Sequence, residues 1–181
     1  MHFDDGSVMR LYRQTVQDFG LYAGLELSEQ QMEALKVAAA KMSAKMRAVR
    51  IVSASNVSKR DLEQRLIHKG EDPQQAKEAV AWMSELNLLD DRRTAEQIVH
   101  RCISKGYGLS RAKQALFEKR IPKEYWQEVL EDYPDQTDAI VSFLRSRLGE
   151  SWEDKDLRRA TDALIRRGLQ MLSVDEEFLE D

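Results

Sequence analysis

Asp90 and Asp91 stand as adjacent carboxylates just ahead of a helical pattern, and His100 and Cys102 follow within it. The first pair could bind a cation. As helix caps, however, the same carboxylates satisfy free backbone N–H groups and oppose the positive end of the helix dipole, and that reading is favoured. His100 and Cys102 lie two residues apart on a helix, so they point to different sides and cannot jointly hold a metal. His68 sits at a basic helix end, where it complements the dipole. Cys102, the single cysteine, falls among Ile98, Val99 and Ile103 and reads as a small core hydrophobe. There is no glycine-rich phosphate loop, no paired-cysteine zinc pattern and no helical His-Glu-x-x-His. No serine is placed by sequence against both a histidine and a carboxylate. The expectation is a protein that is not an enzyme and takes no metal and no cofactor.

Charge is the more informative chemistry. The net charge of −4 conceals blocks of alternating sign. Residues 45–70 carry seven basic against two acidic side chains, and residues 92–123 carry nine against two. The intervening residues 71–91 come to −5 and 124–138 to −6, followed by +2 for 139–168 and −5 for 169–181. Basic helices sharing one side would make a positive surface for a polyanion or an acidic protein. The competing reading is a set of solvated faces laced with local ion pairs.

The elements that would position these charges repeat. Leu66-Ile67-His68-Lys69-Gly70, Leu116-Phe117-Glu118-Lys119-Arg120 and Leu164-Ile165-Arg166-Arg167-Gly168 are spaced by 50 and 48 residues. Apolar or small residues follow in register at Ala76/Val80, Trp126/Leu130 and Val174/Phe178. A period of this size signals stacked helical units, each burying its apolar stripe against its neighbours. The fold class expected is all-α, with three tandem repeats in an elongated, curved array whose long grooves favour binding over catalysis.

Local signals give nine or ten helices. Ser28 with Gln31 forms a capping box for a helix running to about Ser55, with a break expected near Ser43. Ser58 caps a helix that Gly70 stops, and Asp72-Pro73 opens the next. Asp90 or Asp91 caps a helix that Gly106-Tyr107-Gly108 ends. Ser110 lies near the start of the following helix, and Pro122 at the N-terminus of another. Asp135 opens a helix expected to stop at Gly149, and the last unit runs from about Asp154 to Arg167, halts at Gly168 and resumes near Ser173. Residues 1–27 form an extension in which Asp4-Asp5-Gly6-Ser7 is a turn signal and a short hairpin or edge strand is expected. The organisation is thus 1–27 extension, 28–89 lead-in helix and first repeat, 90–134 second repeat and 135–181 third repeat. Apolar stretches of only a few residues fall short of the roughly 20 a membrane span needs. The acidic start carries no signal-peptide core. A cytoplasmic monomer is expected.

Leu88-Leu89-Asp90-Asp91-Arg92-Arg93-Thr94-Ala95-Glu96, followed by Arg101 and Lys105-Gly106-Tyr107-Gly108, resembles the bacterial regulatory protein RecX family, modulators of the RecA recombinase. The resemblance covers about residues 45 to 170: Arg47-Ala48-Val49-Arg50-Ile51 is similar to the family's first helix, residues 58–70 to its second, and residues 116–121 to its middle repeat. It implies three tandem three-helix repeats in a curved, elongated molecule. It further implies a non-enzymatic protein that binds in the groove of RecA–DNA filaments and inhibits filament growth, ATP hydrolysis, strand exchange and coprotease function. Gly20-Leu21-Tyr22-Ala23-Gly24 resembles the extension of longer members.

Two departures stand out: Arg120 replaces the glycine that usually follows the middle repeat's basic residue, so that a different turn into Ile121-Pro122 is expected, and the residues after Gly168 are strongly acidic. On this reading Arg92, Arg93, Arg101, Lys105, Arg111, Lys113, Lys119 and Arg120 would face acidic protein surface or DNA phosphates, with Tyr107 adding a stacking contact or anchoring its turn. Weak direct DNA binding would accompany the RecA interaction. The alternatives are a nucleic-acid module acting without RecA, which would be strongly salt-sensitive, and a helical scaffold for another protein. An aromatic share of 7% leaves few stacking platforms for single strands.

Overall fold

The computed structural model describes residues 1–4, 6–148 and 152–169. Nine α-helices and one short 3-10 turn lie among the described residues, joined by turns and irregular segments, with no strand among them. The chain divides into two units, Met1–Asp90 and Asp91–Asp181.

In the first unit, α1 (Arg13–Asp18) precedes α2 (Glu29–Ala54), α3 (Lys59–His68) and α4 (Pro73–Glu85). The capping box at the start of α2 is complete: Gln31 N–H donates to Ser28 Oγ at 3.2 Å and Ser28 N–H to Gln31 Oε1 at 2.9 Å. Contrary to the expected break near Ser43, α2 continues unbroken for 26 residues. The reason is a tertiary contact. Ser43 Oγ does not bend the helix by bonding its own backbone; it donates to Glu71 Oε1 at 3.0 Å. Ser58 Oγ accepts from Asp61 N–H, and Asp72 Oδ1 from the N–H groups of Gln74 and Gln75, so both expected caps close their helices. Ala44 and Ala48 of α2 meet Leu62 and Leu66 of α3 and Ala76, Ala79, Val80 and Met83 of α4 in one core. The small side chains of α2 let its axis lie close to its neighbours. At the chain start, His2 and Val8 form a single antiparallel bridge around the expected turn, and no longer strand develops.

In the second unit, α5 (Asp91–Ser104) and α6 (Leu109–Glu118) are followed by a 3-10 turn (Lys123–Tyr125), α7 (Trp126–Leu130), α8 (Thr137–Leu148) and α9 (Asp154–Arg166). Asp91 is the first residue of α5 and Asp90 precedes it. The N-cap of α6 is Gly108 and makes no side-chain hydrogen bond; Ser110 falls inside the first turn instead. Ala95, Val99, Leu116 and Ile121 form one core cluster, and Ile140, Leu164 and Leu169 another. The expected stop at Gly149 and the final helix from Ser173, with Val174 and Phe178, lie outside the described residues.

The three echoed segments share one backbone device. After α3, Gly70 N–H donates to Ile67 O and Glu71 N–H to Leu66 O; after α6, Arg120 N–H donates to Phe117 O and Ile121 N–H to Leu116 O; after α9, Gly168 N–H donates to Ile165 O and Leu169 N–H to Leu164 O. This is the Schellman closure, which requires a left-handed residue at its turning point. Gly70, Arg120 and Gly168 supply it with φ of 88°, 53° and 71°. The turn into Ile121-Pro122 is therefore the same turn as in the other two repeats, with arginine accepting a conformation that glycine takes elsewhere. Leu66, Leu116 and Leu164, each buried, are the repeated apolar anchors beneath these turns.

Candidate functional site

The middle repeat carries the densest basic sequence, and its helices set where the charges fall. Positions 92 and 93 lie in the first turn of α5, while Arg101 lies in its last turn and Lys105 just beyond. The turn at residues 105–108 reverses the chain, so that Arg111 and Lys113 ride on the first half of α6 and Lys119 and Arg120 follow its end. The structure separates these residues into two groups.

The group at the α5–α6 turn is Arg101, Lys105, Tyr107 and Arg111. Burial raises the Cys102 thiol pKa, against the opposing effect of the positive charges of Arg111, Lys105 and Arg101. Lys105 Nζ lies 5.9 Å from the centre of the Tyr107 ring. Arg111 donates to Gln114 Oε1 at 2.8 Å and lies 4.0 Å from Glu118, so part of its charge is answered within α6. Tyr107 is half-buried, and its backbone carbonyl oxygen accepts the Tyr133 hydroxyl at 2.6 Å, so Tyr133 braces this turn. Burial pushes the Tyr133 hydroxyl pKa up to about 12, keeping it a donor through the neutral range.

A backbone junction holds this turn from the other side. Gly108 N–H donates to Arg167 O at 2.8 Å. A Cβ at position 108 would sit 1.9 Å from Gly168 O, and a Cβ at position 168 would sit 2.4 Å from Arg111 N. The end of α9 thus packs main chain against main chain on the start of α6, which only glycine permits at both positions. Arg111 begins from a fixed backbone.

The second group lies at the opposite ends of these helices. Arg92 pairs with Glu96 at 3.4 Å and with Glu128 of α7, so its guanidinium is tied to its own unit. Arg93, Lys119 and Arg120 also make intramolecular interactions. Lys113 is exposed on α6, apart from either group. The first unit holds none of these candidate residues, although residues 45–70 carry a strong positive excess. There the structure gathers Arg47, Arg50, Arg65 and Lys69 around one open cavity. The charge count was the signal; bringing α2 and α3 together was not readable from it.

Among the described residues, no group of three or more His, Cys, Asp and Glu side chains is placed to hold a metal ion. No described helix is long and apolar enough to cross a membrane.

Short helices closed by repeated left-handed turns, among the described residues, define a helical repeat protein. Residues 90–130 match the model of the second three-helix domain of RecX. Proteins described as "Regulatory protein RecX" are similar over much of the chain. That of Halorhodospira halophila is 29% identical over 124 residues, covering 67% of this chain and 77% of its own. That of Vibrio parahaemolyticus is 29% identical over 115 residues, covering 64% and 74%. A crystal structure of regulatory protein RecX superposes with a TM-score of 0.68 at 19% identity, over 94% of this chain and 88% of that one, and establishes a shared fold. In sequence the chain is thus similar to RecX proteins, and in fold to a RecX structure.

Proposed function

We propose that the protein is a cytoplasmic, monomeric regulator that binds the RecA recombinase or its DNA filament and lowers its ATP hydrolysis, recombinase and coprotease activities. The observation that carries this reading is the match of residues 90–130 to the second RecX domain, because that segment is also where the basic turn of α5 and α6 is built. The printed names of the relatives speak of regulation. On this reading Arg101, Lys105 and Arg111 engage acidic protein surface or DNA phosphates in the filament. Tyr107 lies within their turn, which Tyr133 braces. Arg92, Arg93, Lys113, Lys119 and Arg120 contribute at the flanks, where Arg92 first has to exchange its pairing with Glu96 and Glu128.

DNA-dependent ATP hydrolysis by RecA of the same organism tests the proposal, with this protein titrated below stoichiometry. Strong inhibition by the wild-type protein is expected, and the triple variant Arg101→Ala, Lys105→Ala, Arg111→Ala should need at least about tenfold more protein. Removing several charge-assisted hydrogen bonds worth about 1.5–3 kcal/mol each is ample for that shift. Absence of both inhibition and filament binding by the wild-type protein would overturn the assignment.

A further inference from the structure

The first unit contains a basic groove that the family match to residues 90–130 does not touch. It opens between the C-terminal half of α2 and the C-terminal end of α3, has a volume of about 420 Å³, and is lined by Arg47, Arg50, Arg65 and Lys69 around Ile51 and Ser55. The four cations differ in how they are held. Arg47 Nε lies 2.6 Å from the buried Glu71 carboxylate and its NH1 donates to Lys69 O at 3.1 Å, so this guanidinium is fixed in place. Arg65 is braced by Asp61, with distances of 3.1 and 3.0 Å from two of its nitrogens. Arg50 and Lys69 are exposed at the rim.

This arrangement suits an anion. Two arginines are oriented by carboxylates that lie behind them, which removes much of the conformational cost of ordering a long side chain at the moment of binding. Two further cations stand at the rim, placed to close on a ligand. Arg47 and Arg65 neutralise Glu71 and Asp61, yet the four cations still exceed the two carboxylates by two charges. No aromatic side chain lines the groove, so it offers no platform on which a base could stack. The chemistry that remains is recognition of a charged backbone. The exposed Arg50 guanidinium can match phosphate oxygens in pairs, with Lys69 adding a point charge beside it, and successive phosphates bring negative charge at a density that an acidic peptide, with its uncharged spacers, does not reach.

We propose that the groove between α2 and α3 is a binding site for the phosphate backbone of nucleic acid, used without regard to base sequence. The inference does not rest on the RecA reading, since the site lies in the other unit and its test contains no recombinase.

The test is fluorescence anisotropy of a labelled random-sequence duplex and of one of its strands, titrated with the full chain at several KCl concentrations. Wild type should bind with a steep inverse dependence on salt. The variant Arg50→Glu, Lys69→Glu should bind at least tenfold more weakly, and its slope of log affinity against log salt should be shallower by about two, one for each phosphate that is no longer neutralised. Lys36→Glu, Lys77→Glu makes the same charge change on exposed positions of α2 and α4 outside the groove, and should stay within about threefold of wild type. Should the charge reversal unfold the protein by circular dichroism, Arg50→Gln, Lys69→Gln replaces it with the same expectation of weaker binding. Equal losses of affinity in the groove and control variants, unchanged binding in the groove variant, or no binding by wild type would each overturn the proposal. So would groove-dependent capture of a labelled polyglutamate by a protein that ignores DNA, which would assign the groove to an acidic protein segment.

Discussion

Arg120 shows how much a single residue can reveal about a repeat. Its φ of 53° places an arginine where Gly70 and Gly168 stand in the neighbouring repeats. An L-residue in this region costs roughly 1–2 kcal/mol through close approach of its Cβ to the backbone. Glycine would relieve that cost but would surrender about 0.5–1 kcal/mol to the greater freedom of the unfolded chain. Arg120→Gly should therefore raise stability by about 0.5–1 kcal/mol, read as a higher urea midpoint at unchanged slope. A lower midpoint would mean that interactions of the arginine side chain outweigh its backbone strain. Residues held in strained conformations concentrate where function needs them. A stabilised Arg120→Gly protein that binds the RecA filament less well would thus fit the place of Arg120 at the flank of the proposed interface.

At the scale of elements, the sequence was legible wherever a cap or a turn had a chemical signature. Ser28 with Gln31, Ser58, and Asp72 before Pro73 each satisfy backbone N–H groups where their side-chain chemistry says they should. Gly70 and Gly168 were readable as stops. Arg120 was not, because no side-chain signature marks an arginine for a left-handed turn. The continuity of α2 was hidden for a different reason: Ser43 finds its partner, Glu71, 28 residues away, and only folding brings them together. The same limit applied to the candidate sites. Charge counting located the basic segment of the middle repeat, but it could not show that Arg92 is spent on Glu128 or that α2 and α3 build a groove. The close approach of Gly108 and Gly168 belongs to this class too, and it makes a sharp prediction. Gly168→Ala combines a left-handed backbone with a Cβ 2.4 Å from Arg111 N, so the junction of α6 and α9 must move. Gly106→Ala meets a similar backbone penalty at φ of 62° with open space around it. The first should cost about 3 kcal/mol and the second about 1 kcal/mol in chemical denaturation. Equal costs would show that the main-chain packing contributes nothing.

Among the described residues the buried apolar side chains gather into separate small cores of unequal size, which predicts unequal local stability. Ten buried residues, from Ala44 to Leu89, form the cluster of the first unit, whereas the second unit divides its apolar residues into clusters of four and three. Four of the ten are alanines, so the first unit's single cluster holds six larger apolar side chains against three in each cluster of the second unit; at about 1.5–3 kcal/mol for each fully buried one, the difference between clusters amounts to several kcal/mol of local stabilisation. Polar pairing adds to it in the first unit, where the buried Glu71 ties Ser43 and Arg47 of α2 to the segment between α3 and α4. In the second unit, α8 and α9 rest on Ile140, Leu164 and Leu169, supplemented by the Phe143 ring between Arg147 and Arg167. Helices with few buried apolar side chains open at low free energy without unfolding the rest. Native-state hydrogen exchange should accordingly find, among the helices of ten or more residues, the slowest amides in α3 and α4, intermediate ones in α5 and α6, and the fastest in α8 and α9. The expected spread between α4 and α8 is at least about 2 kcal/mol in opening free energy. Uniform protection across both units would mean that the chain opens as one cooperative body. The graded result would instead give a binding protein with a firm first repeat and a last repeat able to reshape, so that a partner engaging the α5–α6 turn, against which α9 packs through Gly168, should slow exchange in α9 as well.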